Sequence, residues 1–197
     1  MAAACLVIVR HAVRLPDRPP DDHVFAAVDE TVSGYVLKMN EERRPAAEPD
    51  VGSFTEELLT AVREEALDDI ADALAILANA GSAATSAALL NELVDRCAAT
   101  IRARFPAEPE DLYTVALTDR SGSEVTIDRM PPGPRAALRA LLAELAGDNG
   151  GRAIQMRLAG GGGATDFVFA VFNLLMWLTE LSDTPAGTPP VLSCFTP

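Results

Sequence analysis

The chain opens on an unbroken apolar stretch, Cys5-Leu6-Val7-Ile8-Val9, followed by Pro16, Pro19 and Pro20. A short run rich in β-branched side chains and bounded by prolines reads as a buried strand, predicted here over residues 4–10. From Asp22 the apolar positions change to steps of three and four, through Val24, Val28, Val32, Tyr35 or Val36, and Met39. That is the spacing of a helix face. Pro45 and Pro49 then mark residues 43–52 as a linker.

The clearest periodicity begins at Ser53. Ser53 and Glu56 stand at capping-box spacing, and Leu59, Val62, Ala66, Ile70, Leu74 and Leu77 follow on one face down to Gly81. One helix over residues 53–81 is therefore predicted. A second, over 86–105, carries a stripe of Leu90, Leu93, Val94, Cys97 and Ile101. So short a connection predicts an antiparallel helical hairpin. Beyond Pro106 and Pro109 the period falls to two. Residues 112–118 and 124–128 flank Asp119-Arg120-Ser121-Gly122, the signature of a β-hairpin. Pro134 should open a short helix that turns Leu138, Leu141, Leu142 and Leu145 inward and ends at Gly147. Residues 153–158 read as a strand, Gly160 to Gly163 as a flexible turn, and Thr165 or Asp166 as the cap of a last helix reaching Leu181. Four prolines after Thr184 predict an extended or disordered tail.

The pattern as a whole gives a mostly helical α+β fold. An N-terminal strand and a helical hairpin precede a β-hairpin or small sheet packed with two C-terminal helices. The expected parts are residues 1–106, 107–183 and the tail 184–197.

Composition narrows the chemistry. A chain of 197 residues, 49% hydrophobic, can bury a sizeable core without disulfides or metals. Its net charge of −13 is spread along the helices, which argues against nucleic acid as a partner. Cys5, Cys97 and Cys194 are odd in number and far apart, as befits a reducing compartment, so a cytoplasmic location is expected. No secretory signal is evident, because the apolar opening lacks a basic flank and meets Arg10 too soon. Abundant alanine, with arginine almost to the exclusion of lysine, fits a GC-rich bacterial genome. Only His11, His23 and Lys38 represent their residue types, which leaves carboxylates, hydroxyls and arginines for any chemistry further along.

Leu6-Val7-Ile8-Val9-Arg10-His11-Ala12 resembles the start of the histidine phosphatases, whose first strand ends in Arg-His-Gly. The resemblance implies His11 as phosphate acceptor, Arg10 as phosphate clamp and a doubly wound parallel sheet. Ala12 replaces that motif's glycine, and the family's late second histidine has no counterpart after His23. Asp68-Asp69-Ile70-Ala71-Asp72 is similar to the magnesium-binding Asp-Asp-x-x-Asp helix of terpene synthases, and with Glu64 and Glu65 to the acidic helices of all-α nucleotide pyrophosphohydrolases. Hard oxygen ligands on one helix suit magnesium bound together with substrate phosphates. Glu65, Asp68, Asp69 and Asp72 are thus the candidate ligands of an alternative reading, a magnesium-dependent enzyme acting on a phosphorylated small molecule. The Asn-Asp-type second motif of terpene synthases and the Glu-x-x-Glu first motif of the pyrophosphohydrolases are absent, and Glu64, Glu65, Asp68 and Asp72 fall opposite Ile70 and Leu74, so a solvated acidic face is expected. Gly160 to Gly163, placed before a helix, has the position of a phosphate cradle but neither a P-loop ending nor dinucleotide spacing. Cys194 stands fourth from the end, yet Phe195, Thr196 and Pro197 do not suit prenylation.

The last helix weighs most in the functional reading. Between Phe167 and Leu181 it leaves Asn173 and Glu180, in line with Asp166, as a narrow polar stripe. Its apolar run of about a dozen residues falls short of the roughly 20 that cross a bilayer. A circumference so apolar is expected to be covered partly by the core and partly by another chain, through Phe169, Phe172, Met176 and Trp177. The expectation is a non-catalytic cytoplasmic assembly or adaptor module without a cofactor, associating with itself or another protein and with no membrane span.

Overall fold

The computed structural model describes residues 3–12, 50–108, 111–119 and 121–195. The helix expected over residues 22–39, with His23, and nearly all of the linker lie outside the described residues. The architecture is the mostly helical α+β fold expected, with six α-helices and a four-stranded antiparallel sheet among the described residues.

The sheet is ordered β3-β2-β1-β4, from β1 (Ala3–Ala12), β2 (Asp111–Thr118), β3 (Glu124–Val125) and β4 (Val191–Phe195). Strand β1 pairs antiparallel with β2, Cys5 opposite Thr118 through to Ala12 opposite Asp111, and with β4, Val7 opposite Val191. Leu6, Ile8, Leu117, Leu192 and Cys194 are buried on the side that meets the helices. Cys5, Leu112 and Val191 are exposed. Alternation along a half-buried strand accounts for this division. Among the described residues the sheet is antiparallel throughout, not the parallel sheet that the histidine phosphatase resemblance implies. Arg10 lies 4.5 Å over the Phe105 ring and donates to the Pro106 carbonyl, so the guanidinium ties the end of β1 to the chain after the third helix. Within the tail, residues 191–195 are extended and pair as β4. The first part, the second and the tail all contribute strands to one sheet.

The helix predicted over 53–81 divides into α1 (Val51–Arg63) and α2 (Leu67–Ala80). Two hydrogen bonds close α1: the Glu65 N–H donates to Val62 O at 3.1 Å and the Ala66 N–H to Ala61 O at 2.9 Å. That is a Schellman motif, and it places Glu65 at φ 59°, where glycine usually stands. Helix α1 is capped by Asp50, whose carboxylate accepts from the Ser53 N–H at 3.3 Å, and not by a Ser53–Glu56 box. Glu56 instead reaches Arg96 on α3 (Ala83–Arg104). Helices α2 and α3 are joined by the predicted short turn, but α1 packs on α3 and α2 on the last helix.

Pro131 and Pro132 start α4 (Pro132–Leu145), and Gly147 at φ 71° ends it as predicted. Residues 153–158, expected as a strand, belong to α5 (Asn149–Gly161), whose N-cap Asp148 accepts from the Gly151 N–H at 2.8 Å. Gly160 and Gly161 complete α5. Gly163, at φ 104°, begins α6 (Ala164–Asp183) in place of Thr165 or Asp166.

Helix α6 is the centre of the molecule and packs on all five other helices and on β4. Phe167, Val171, Leu174, Trp177 and Leu181 are buried along it. At 20 residues it exceeds the apolar run read from the sequence and is long and apolar enough to cross a membrane by length and composition, with half of its most apolar stretch buried in the fold. Its polar positions lock the sheet edge. The Trp177 indole N–H donates to Ser193 O at 2.9 Å, and the Ser193 N–H donates to the Glu180 carboxylate at 2.8 Å. The outward backbone groups of Ser193, which an edge strand would offer to another chain, are thus satisfied within the fold.

Candidate functional site

Of the six α-helices described, α5 has the fewest buried side chains, Ala159 alone. Its residue types explain why it forms: Arg, Ala, Gln, Met and Leu favour helix, and Asp148 satisfies an otherwise orphaned backbone donor. Arg152 fastens it. From α5 its Nη2 donates to Asn91 at 3.0 Å and Asp95 at 2.7 Å on α3, while Nη1 stands 3.3 Å from Glu144 on α4. Glu144 also pairs with Arg102 at 3.2 Å. A single side chain therefore joins three helices, with its Nε buried and unpaired.

Grooves run along both flanks of α5. The larger, about 750 Å³, lies between α5 and the first half of α3 and reaches the end of α2 at Ala78 and Gly81. Its floor is small, with Ala83, Ala87, Ala153 and Gly160, and its polar groups are Ser86, Asn91, Asn149, Arg152 and Arg157. The smaller, about 290 Å³, lies against α4 and is lined by Arg135, Arg139, Gln155, Arg157 and Leu158. Gln155 Oε1 is buried and unpaired. Among the described residues no carboxylate lines either groove, although the chain holds 29 aspartates and glutamates. Arg135 and Arg139 are partnered by Asp128, the latter at 2.9 Å, whereas Arg157 has no partner among the described residues. On the ridge between the grooves stand Ile154, 50% exposed, and Leu158, 56% exposed, one helical turn apart.

The expected site residues fall elsewhere. Ile70 and Leu74 face the core and Asp68, Asp69 and Asp72 are exposed. Asp69 lines a shallow groove between α1 and α2 with Glu56, Glu57 and Glu64; Glu65, Asp68 and Asp72 do not. Glu65 occupies the corner joining the two helices. Among the described residues no three His, Cys, Asp or Glu side chains come together to hold a metal ion. The side chain of His11 lies outside the described residues, and its backbone pairs with Leu112. Gly160 and Gly161 end a helix and not a strand, Gly162 and Gly163 join it to α6, and the Asp166 carboxylate lies against Gly162. Of the expected interface residues, Trp177 is wholly enclosed by its own chain, while Phe169, Phe172 and Met176 are half-buried. Burial pushes the Cys97 thiol up, and burial with the nearby Glu180 charge pushes that of Cys194 up to about 12, so neither is a ready nucleophile.

Sequence reasoning missed Arg152, Ile154, Arg157 and Leu158. The available signal was Asp148 as an N-cap ahead of helix-forming residues. No protein family model, no curated protein and no solved structure matches the chain.

Proposed function

We propose that this chain is a non-catalytic assembly or adaptor module that holds protein partners through the outer surface of α5. The observation that carries the reading is the exposed Ile154–Leu158 ridge, set between two grooves that no carboxylate of the described residues lines, on a chain of net charge −13. Apolar side chains standing singly on a surface are ordinary, but an apolar ridge beside shaped grooves rimmed by arginine has the make-up of an interface core. Arginine is among the residues that anchor such contacts. The scattered thiols support a cytoplasmic location for the module.

A photo-crosslinking side chain placed at Leu158 and activated in cells tests this directly. Adducts of discrete protein mass are expected from position 158 and not from the exposed Ala99 on α3. Failure to form protein adducts at 158, or equal yield at both positions, would contradict the reading.

A further inference from the structure

Building on the docking reading, we infer that the α3–α5 groove takes a second copy of this chain, which lays the outer stripe of its own α2 along α5 in a two-fold dimer. That stripe is Asp68, Asp72 and Ile76, four residues apart on one helix face and all exposed, Ile76 to 68%. It supplies what the groove lacks. The groove offers Arg157 without a partner and a floor of alanine and glycine; the stripe offers two carboxylates, also without partners among the described residues, and a bare isoleucine.

The shapes agree as well. Helix α5 has thirteen residues, about 20 Å of helix, and α2 has fourteen, so the two helices match in length. Small residues on α3 and α5 let a third helix approach closely, as in helix-in-groove recognition. Ala78 and Gly81, at the end of the helix that carries the stripe, line the groove, so both surfaces belong to the same part of the molecule. Under a two-fold axis the stripe of each copy meets the groove of the other, so one rotation makes both contacts. The acidic stripe expected from the sequence to meet magnesium or water thereby meets arginine.

Light scattering at micromolar concentration, on the parent and three variants, tests the inference. The parent is expected at twice the chain mass. Asp72→Arg and Arg157→Glu each bring like charges together and should weaken self-association by about two orders of magnitude. Combined in one chain they exchange the charges and should restore the dimer, with helical circular dichroism unchanged throughout. A monomeric parent, or a dimer indifferent to both single reversals, or a double variant no better than the singles, would overturn the inference. A monomeric parent that still forms adducts with a different protein from position 158 would sink the dimer and leave the docking reading standing. A monomer without adducts would remove both.

Discussion

At the scale of single residues, two helices end in the same motif on different side chains. Helix α4 closes with the Asp148 N–H on Ala143 O at 2.8 Å and the Gly147 N–H on Glu144 O at 3.1 Å, with Gly147 at φ 71°. Helix α1 closes in the same way on Glu65 at φ 59°. A side chain in the left-handed region costs about 1–2 kcal/mol, partly offset because glycine is freer in the unfolded chain. Glu65→Gly is therefore expected to stabilise the protein by about 1 kcal/mol in urea unfolding, and a loss of stability would show that Glu65 makes a contact outweighing its strain. Gly147 was legible as a stop because glycine announces the conformation. Glu65 was not, since nothing in Arg63-Glu64-Glu65-Ala66 favours a break, and two helices read as one.

At the scale of elements, close approach decides where α4 meets α6. A Cβ on Gly133 would lie 2.0 Å from the Asp166 carbonyl oxygen, so Gly133→Ala must drive the two helix starts apart. Overpacking of this kind costs about 1–3 kcal/mol. Gly150, where an added Cβ meets nothing nearer than 3.6 Å, is the control and should gain a little stability as alanine. Equal effects at the two sites would contradict the packing described. The core elements were readable because their stripes face a single interior: Leu90, Leu93, Val94, Cys97 and Ile101 are all buried on α3, and Leu138, Leu141 and Leu145 on α4. Helix α5 was misread for the opposite reason. Ile154, Met156 and Leu158 alternate along the sequence like a strand, and with one buried residue in the helix no core stripe exposed its true period. The residues that define the candidate site are thus those that packing does not constrain.

At the scale of the whole molecule, α6 gathers the other helices and β4 into one core, and its polar side chains seal the sheet edge at Ser193. The abundance of apolar residues on α6 pointed to an interface because a sequence does not reveal how many neighbours surround a helix. With Trp177 inside, the proposed partner surface is α5, where the grooves carry arginine and, among the described residues, no carboxylate. A rival surface of comparable character is the outer face of the sheet, with Cys5, Leu112 and Val191 exposed. Amide hydrogen exchange of the purified protein at low and high concentration separates the two. Association through α5 predicts that amides of residues 149–161 and 67–80 exchange more slowly at high concentration, while residues 3–12 and 111–118 are unchanged. Protection confined to the strands, or none at either concentration, would contradict it.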